Sequence, residues 1–223
     1  MKTQTNDGEK QLLLTGGEGD LAKSIGDALA DEGRVLLPGR GKLDVSDEAS
    51  VQRYFSALER LDLLVCNAGV VEDKLLLKMS EASWEKALEV NLKGAFLCAQ
   101  QAAKLMLKQR SGHILFIGSY SGFQPHLGQA NYAAAKAALV GLMKSLAKEL
   151  GGRGVRVNMI VPGWIETKMT AAVAEEKKQQ VLAAHTLKAL NTAQQVASFV
   201  KHLHREMSYT SGQVFHLDSR ILP

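Results

Sequence analysis

Six short apolar runs recur along the chain, at 12–14, 35–37, 63–66, 113–117, 155–161 and 214–217. Amphipathic stretches lie among them, at 22–32, 47–59, 83–108, 131–150, 171–184 and 193–204. Unbroken apolar runs suit strands buried on both faces, and apolar positions spaced three or four apart suit helices with one inward face. The alternation predicts an α/β fold: a Rossmann-type, doubly wound parallel sheet with helices on both faces. Neither a repeat nor a linker interrupts the pattern, so 1–223 is read as a single domain.

One connection is too short. Only Pro38-Gly39-Arg40-Gly41-Lys42 separates the second strand from Leu43-Asp44-Val45, whereas a parallel crossover needs about a dozen residues. A helix has been lost here. The sheet is therefore shortened at its second-strand/third-strand edge, which is either vestigial or rebuilt as a tight turn.

Composition narrows the class. The 223 residues are 46% hydrophobic and 22% charged, enough for a sizeable core. The opening MKTQTNDGEK has no apolar segment, and no run is long enough to cross a bilayer, so neither a leader nor a membrane anchor is expected. Cys66 and Cys98 fall in apolar segments and read as reduced core residues of a cytoplasmic protein. The net charge of +4 is scattered, with no run of five like charges. That surface suits an anionic cofactor or an acidic carrier protein and points to no nucleic-acid partner.

Candidate chemistry begins at "QLLLTGGEGDLAKSIG", a strand, a glycine turn and a helix. Such a turn offers free backbone N–H groups and the positive end of a helix dipole, which suit a pyrophosphate. At the end of the next strand no acid stands between Val35 and Lys42, while Arg40 and Lys42 are present. An acid there selects the free ribose hydroxyl of NAD, so the basic pair favours the 2′-phosphate of NADP without excluding NAD. Asn67-Ala68-Gly69 ends a third strand with small residues that let a cofactor lie against the backbone. Ser119 follows the fourth strand, on the sheet edge where ligands bind. Tyr132 begins a helix, and Lys136, four residues on, shares its face. A neighbouring ammonium is expected to lower the tyrosine pKa and bring it towards acid–base range.

In order, "TGG", "NAG", Asn91 in "VNLKGAF", "IGSYSG", "NYAAAK" and "VPGWIETKM" resemble the signatures of the short-chain dehydrogenase/reductase family. They span residues 15 to 169, and the remainder resembles the family's last helix and strand. The stretch from "FIGSYSG" through "VPGWIETKMT" looks most like the 3-oxoacyl-acyl-carrier-protein reductases of fatty acid biosynthesis. The resemblance implies a catalytic set of Asn91, Ser119, Tyr132 and Lys136. Tyr132 would be the general acid and Ser119 would hold the substrate oxygen. Lys136 would contact the nicotinamide ribose, and Asn91 would fix a water leading to Lys136. It also implies cofactor contacts at Thr15, Gly16, Gly19, Leu21, Arg40, Asp44, Val45, Asn67, Ala68, Gly69, Pro162, Gly163 and Thr167, besides Tyr132 and Lys136. The partners implied are an acyl carrier protein or acyl thioester and further copies of the chain, as a homotetramer or homodimer through helices 83–108 and 131–150. Arg110 and Arg153 are expected to face the carrier, and 168–190 to form a substrate lid with Met169, Val173, Val181, Leu182 and Leu187.

The sequence departs from the family pattern at both ends. In the register T-G-x-x-G-x-x-A, Gly16, Gly19 and Ala22 carry the loop, and Glu18 and Asp20 are expected to point to water. Where the family often ends in valine–aspartate–glycine–glycine, this chain reads Leu217-Asp218-Ser219-Arg220. Two other readings therefore stand beside a carrier-linked reductase: an oxidoreductase of a free small ketone or alcohol, and a noncatalytic dinucleotide-binding regulator. No Cys or His cluster has zinc spacing, and no metal is expected.

Overall fold

The computed structural model describes residues 8–167, 170–171 and 174–221. Its strands are β1 (Gln11–Leu14), β2 (Arg34–Leu36), β3 (Leu63–Cys66), β4 (Gly112–Ile117), β5 (Val155–Val161) and β6 (Val214–His216). Its helices are α1 (Asp20–Ala28), α2 (Glu48–Ser56), α3 (Glu81–Leu88), α4 (Gly94–Gln109), α5 (Ala130–Gly151), α6 (Glu175–Ala184) and α7 (Ala193–Arg205). The strands form one parallel sheet in the order β2-β1-β3-β4-β5-β6. Register is set by pairs such as Leu13 with Leu64, Val65 with Leu115 and Ile160 with Phe215.

Alternate residues of each central strand feed two different cores. Leu13, Leu64, Ile114, Phe116, Val157 and Met159 pack under α2, α4 and α5. Leu12, Leu14, Leu63, Val65, Leu115 and Ile160 pack under α1 and α7, against Ile25, Val196, Val200 and Leu203. A period-2 side-chain alternation with both faces covered leaves the strands apolar throughout. Several helix starts are encoded locally. The Asp47 side chain accepts from Ala49 N at 3.0 Å before α2, and Thr192 with Gln195 makes a capping box at α7.

The shortened edge is rebuilt as a turn. β2 is the edge strand, and the backbone N–H groups of Lys42 and Leu43 close on the Gly39 carbonyl at 3.0 and 3.1 Å. Leu43-Asp44-Val45 is no strand: Leu43 and Val45 are buried in the core beneath α2. The single long helix expected at 83–108 is interrupted by a π turn, Glu89–Lys93, between α3 and α4. A π turn leaves the apolar periodicity nearly intact, so the sequence pattern runs straight through it.

Candidate active site

Strand order reverses between β1 and β3, and a crevice opens at their carboxyl ends. Thr15 locks it from below: its Oγ1 accepts from the backbone N–H groups of Asn67 and Ala68, both at 3.0 Å. Gly16 has φ +67°, and a Cβ there would stand 2.9 Å from Ala68 Cα. Gly17 is needed for approach instead, since a Cβ would meet the Leu37 carbonyl carbon at 2.3 Å. Gly19 is the N-cap of α1 and makes no side-chain capping bond. The first-turn N–H groups have no intrahelical partner, so this end of α1 suits an anion. Glu18 is exposed, but its carboxylate lies against Gly39 at the end of β2, where a Cβ would come within 2.4 Å of Oε1. Asp20, expected to face water, lines the cleft instead, because it is the first residue of α1.

A cleft of about 450 Å³ continues across the ends of β3, β4 and β5. Ser119 enters it from a short 3-10 turn, Tyr120–Gly122, which it caps by accepting from Ser121 N at 3.2 Å. Tyr132 and Lys136 enter from the first turns of α5. Lys136 is buried, donates to the Ile117 carbonyl at 2.9 Å and holds Nζ 5.6 Å from the centre of the Tyr132 ring. Asn91 sits in the π turn, buried, and donates to the Val70 and Ala87 carbonyls, both at 2.9 Å. Gly69 joins the pair: a Cβ there would lie 2.8 Å from Asn91 Oδ1 and 3.9 Å from Lys136 Nζ. On the far side, Gly163 (φ +78°) turns the chain after β5, and Asn191 donates to the Pro162 carbonyl at 3.2 Å.

The electrostatics correct one expectation. The Tyr132 pKa is raised, not lowered, because burial disfavours the phenolate more than the hydrogen bond with Ser119 favours it, and Asp73 pushes in the same direction as burial. Burial lowers the Lys136 pKa to about 8. This pairing keeps a proton on tyrosine and leaves a lysine able to exchange one near neutral pH.

The cleft brings together Gly16, Gly19, Leu21, Asn67, Ala68, Gly69, Ser119, Tyr132, Lys136, Pro162, Gly163 and Thr167. Thr15 and Asn91 stand directly behind it. Arg40, Asp44 and Val45 are not among its walls: Val45 is buried against Gly94 at the start of α4, and Arg40 and Asp44 lie at the β2 edge. There Arg40 bonds the Asp44 carboxylate at 2.8 Å, and Asp44 also accepts from Ser46 N at 3.0 Å. Arg110 and Arg153 are not among the walls of the cleft. They precede β4 and β5, so they lie at the opposite edge of the sheet, where a Cβ on Gly154 would meet the Arg110 carbonyl oxygen at 2.5 Å. Of the lid, Lys168, Met169 and Val173 lie outside the described residues; Val181 is buried and Leu187 exposed. Sequence reasoning missed Asp73, Gln129 and His126 as parts of the cleft, and gave Arg220 no place in it. Among the described residues no group of three His, Cys, Asp or Glu is placed to hold a metal.

The profile of the family described as Enoyl-(Acyl carrier protein) reductase matches residues 8–219. The chain is 41% identical to the 3-oxoacyl-[acyl-carrier-protein] reductase FabG of Aquifex aeolicus, over 93% of this chain and 85% of that one. It belongs to the short-chain dehydrogenase/reductase family. It is an NAD(P)-dependent short-chain oxidoreductase. A second relative within this family, the 3-oxoacyl-[acyl-carrier-protein] reductase MabA of Mycobacterium bovis, is 37% identical over 94% of this chain and 91% of its own. The solved structure titled "Crystal structure of gox2181" superposes with a TM-score of 0.88 at 28% identity, covering 95% of each chain. A nicotinamide dinucleotide is the cofactor this family implies. The uncapped N-terminus of α1 and the glycines at 16 and 19 fit its pyrophosphate, and Lys136 and Thr167 line the same cleft.

Proposed function

We propose that this protein reduces the ketone of a 3-oxoacyl thioester, carried on an acyl carrier protein, to the 3-hydroxyacyl thioester with NADPH. The observation that carries this reading is convergence. Ser119, Tyr132 and Lys136, from two elements, reach one cleft beside an anion-binding helix end, with the tyrosine proton held by burial. The cofactor supplies the hydride. Tyr132 donates its proton to the substrate oxygen, and the Ser119 hydroxyl holds that oxygen as charge develops on it. Lys136, with a pKa of about 8, returns a proton towards Tyr132, and Asn91 fixes a water on the path to solvent. A binding-only protein needs no acid placed in this way. The relatives whose names specify 3-oxoacyl-carrier substrates, at 37–41% identity, support the substrate class.

In this reading Arg40 and Lys42, both exposed, take the 2′-phosphate, and Asp44 and Val45 border the adenine. A second reading of the cofactor, NADH, is favoured by Glu18, whose carboxylate stands at the end of β2 while Arg40 is bonded to Asp44. The chain is read as one dinucleotide-binding domain of the cytoplasm, in keeping with two free, buried cysteines. No helix among the described residues is long and apolar enough to cross a membrane. The shallow groove of Leu88, Leu92, Phe96 and Leu142 is the surface through which homotetramers or homodimers would form. The test is the loss of reduced-nicotinamide absorbance with acetoacetyl thioester, run in parallel with NADPH and NADH. Turnover with NADPH supports the full proposal; turnover with NADH alone reassigns the cofactor to the Glu18 reading. No turnover with either removes the substrate class.

A further inference from the structure

The C-terminal turn after β6 places a charged side chain in the cleft at a position where the family often has glycine. We propose that Arg220 is a specificity-determining residue: its free guanidinium edge binds a carboxylate carried by the oxo substrate a few atoms from the ketone. The proposal rests on the reading that Tyr132 protonates that ketone; on the substrate it goes beyond a carrier thioester, to an oxo acid whose carboxylate is free.

Position is the first argument. Asp218 packs on the turn after β5, so closely that a Cβ on Gly163 would lie 2.6 Å from Asp218 Cβ. Arg220 reaches back from there and lays its guanidinium on the Tyr120 ring, with Cζ 3.5 Å from the centroid. Tyr120 is the neighbour of Ser119, and Arg220 itself lines the cleft. The guanidinium therefore bridges the Gly163 turn and the loop that presents Ser119.

Orientation is the second. The backbone N–H of Arg220 donates to Asp218 Oδ1 at 3.2 Å, and its Nε donates to Oδ2 at 2.8 Å, with Nη2 bonding the same oxygen. Nη1 donates to nothing among the described residues. The side chain is only 5% exposed, and that of Asp218 only 2%. Nη1 is not among the buried side-chain atoms left without a partner, so its edge is open to the cleft, and a carboxylate fits that planar edge.

The field at this end of the cleft is the third. Lys177 Nζ stands 3.4 Å from His126 Nδ1. The His126 pKa is lowered by burial first, then by Lys177 and Arg220, with Asp73 opposing. The two acids nearby already accept bonds: Asp218 from Arg220, and Asp73 from Gln129 at 2.9 Å. Asp218 is paired with Arg220 and Asp73 keeps its charge, so the Lys177 ammonium and the open Nη1 edge are what this end of the cleft offers an anion. A mere strap for the C-terminus needs the ion pair but not the open Nη1 edge.

The test compares acetoacetate with its uncharged analogue methyl acetoacetate. Binding is read by the fluorescence of Trp164, a cleft residue, in the enzyme saturated with oxidised cofactor, so that no turnover is required. The expected result is acetoacetate bound at least about tenfold more tightly than the ester. Arg220→Lys should keep part of that preference, and Arg220→Gln should abolish it. Because removing Arg220 alone leaves Asp218 buried and unpaired, Asp218→Asn/Arg220→Gln is measured beside it, with a cooperative thermal melt as the check on folding. Equal affinity for the two ligands in the unmodified enzyme, no measurable binding of acetoacetate, or a preference that survives the double variant would each overturn the proposal. Failure to reduce acetoacetyl thioester removes the reductase reading separately, without touching this binding result.

Discussion

The two halves of the cleft are built differently. Around Ser119, Tyr132, Lys136 and Asn91 the polar groups are sunk into the ends of strands and helices, and backbone carbonyls of Ile117, Val70 and Ala87 fix the lysine and the asparagine. At the β2 edge the charged groups Glu18, Arg40 and Lys42 are exposed, and the segment that holds Arg40 and Lys42 is a rebuilt turn. Burial makes the first half stringent, because it holds Lys136 and Asn91 in one geometry and shifts the proton affinities of Tyr132 and Lys136. Exposure makes the second half permissive, since a charge in water interacts weakly and is screened by salt. Substitutions should therefore be severe in the catalytic half and graded at the cofactor's adenosine end.

After loss of the Tyr132 acid itself, the largest contrast is expected from Ser119→Ala. Loss of a donor to the developing oxyanion should lower kcat by roughly 10²–10³-fold with cofactor affinity unchanged in a direct titration. A loss below about threefold would remove Ser119 from the mechanism. Next comes the glycine that joins the halves. Gly17→Ala drives a methyl into the Leu37 backbone and should cost about 1–3 kcal/mol in denaturant unfolding. Gly41→Ala, with nothing within 4 Å of its added methyl, is its near-neutral control.

The pH dependence sharpens the comparison further. Reduction that draws a proton through Lys136 should fall above pH about 8, close to tenfold per unit, in kcat/KM. The stability sign runs the other way. The folded lysine loses its proton near 8 rather than at its ordinary 10.5, so between those values the unfolded chain binds more protons. The unliganded protein should thus gain stability as pH rises through that window, and Lys136→Met should lack the gain in pH-dependent melts. The smallest effect belongs to the exposed edge. Glu18→Gln should tighten NADPH by a few-fold relative to NADH, with the shift shrinking at high salt; no shift in the affinity ratio would mean that Glu18 does not face the 2′ position.

How much of this was legible in the chain follows from where each signal resides. The central strands were plain because both faces of the sheet are covered, which forces continuous runs such as Leu63-Leu64-Val65-Cys66. Tyr132 and Lys136 were plain because an i, i+4 pair keeps its meaning on any helix. The π turn around Asn91 was hidden, since it re-aims one residue without disturbing the apolar repeat. Asp73, Gln129 and His126 come from loops, and loop residues acquire neighbours only through tertiary packing. Arg220 was visible as a departure from a glycine-rich ending, but only the fold of the turn after β6 directs it into the cleft. The distance of Arg110 and Arg153 from the cleft was legible too: a residue just before a parallel strand lies at the edge away from the ligand crevice.

The account's central claim is that Tyr132 is the proton donor of a reductase site. Its most direct test is acetoacetyl-thioester reduction by the unmodified protein and by Tyr132→Phe, with cofactor affinity titrated in both. A fall in kcat of about 10²–10⁴-fold with cofactor affinity held is the predicted result. Turnover by Tyr132→Phe at the unmodified rate would contradict it.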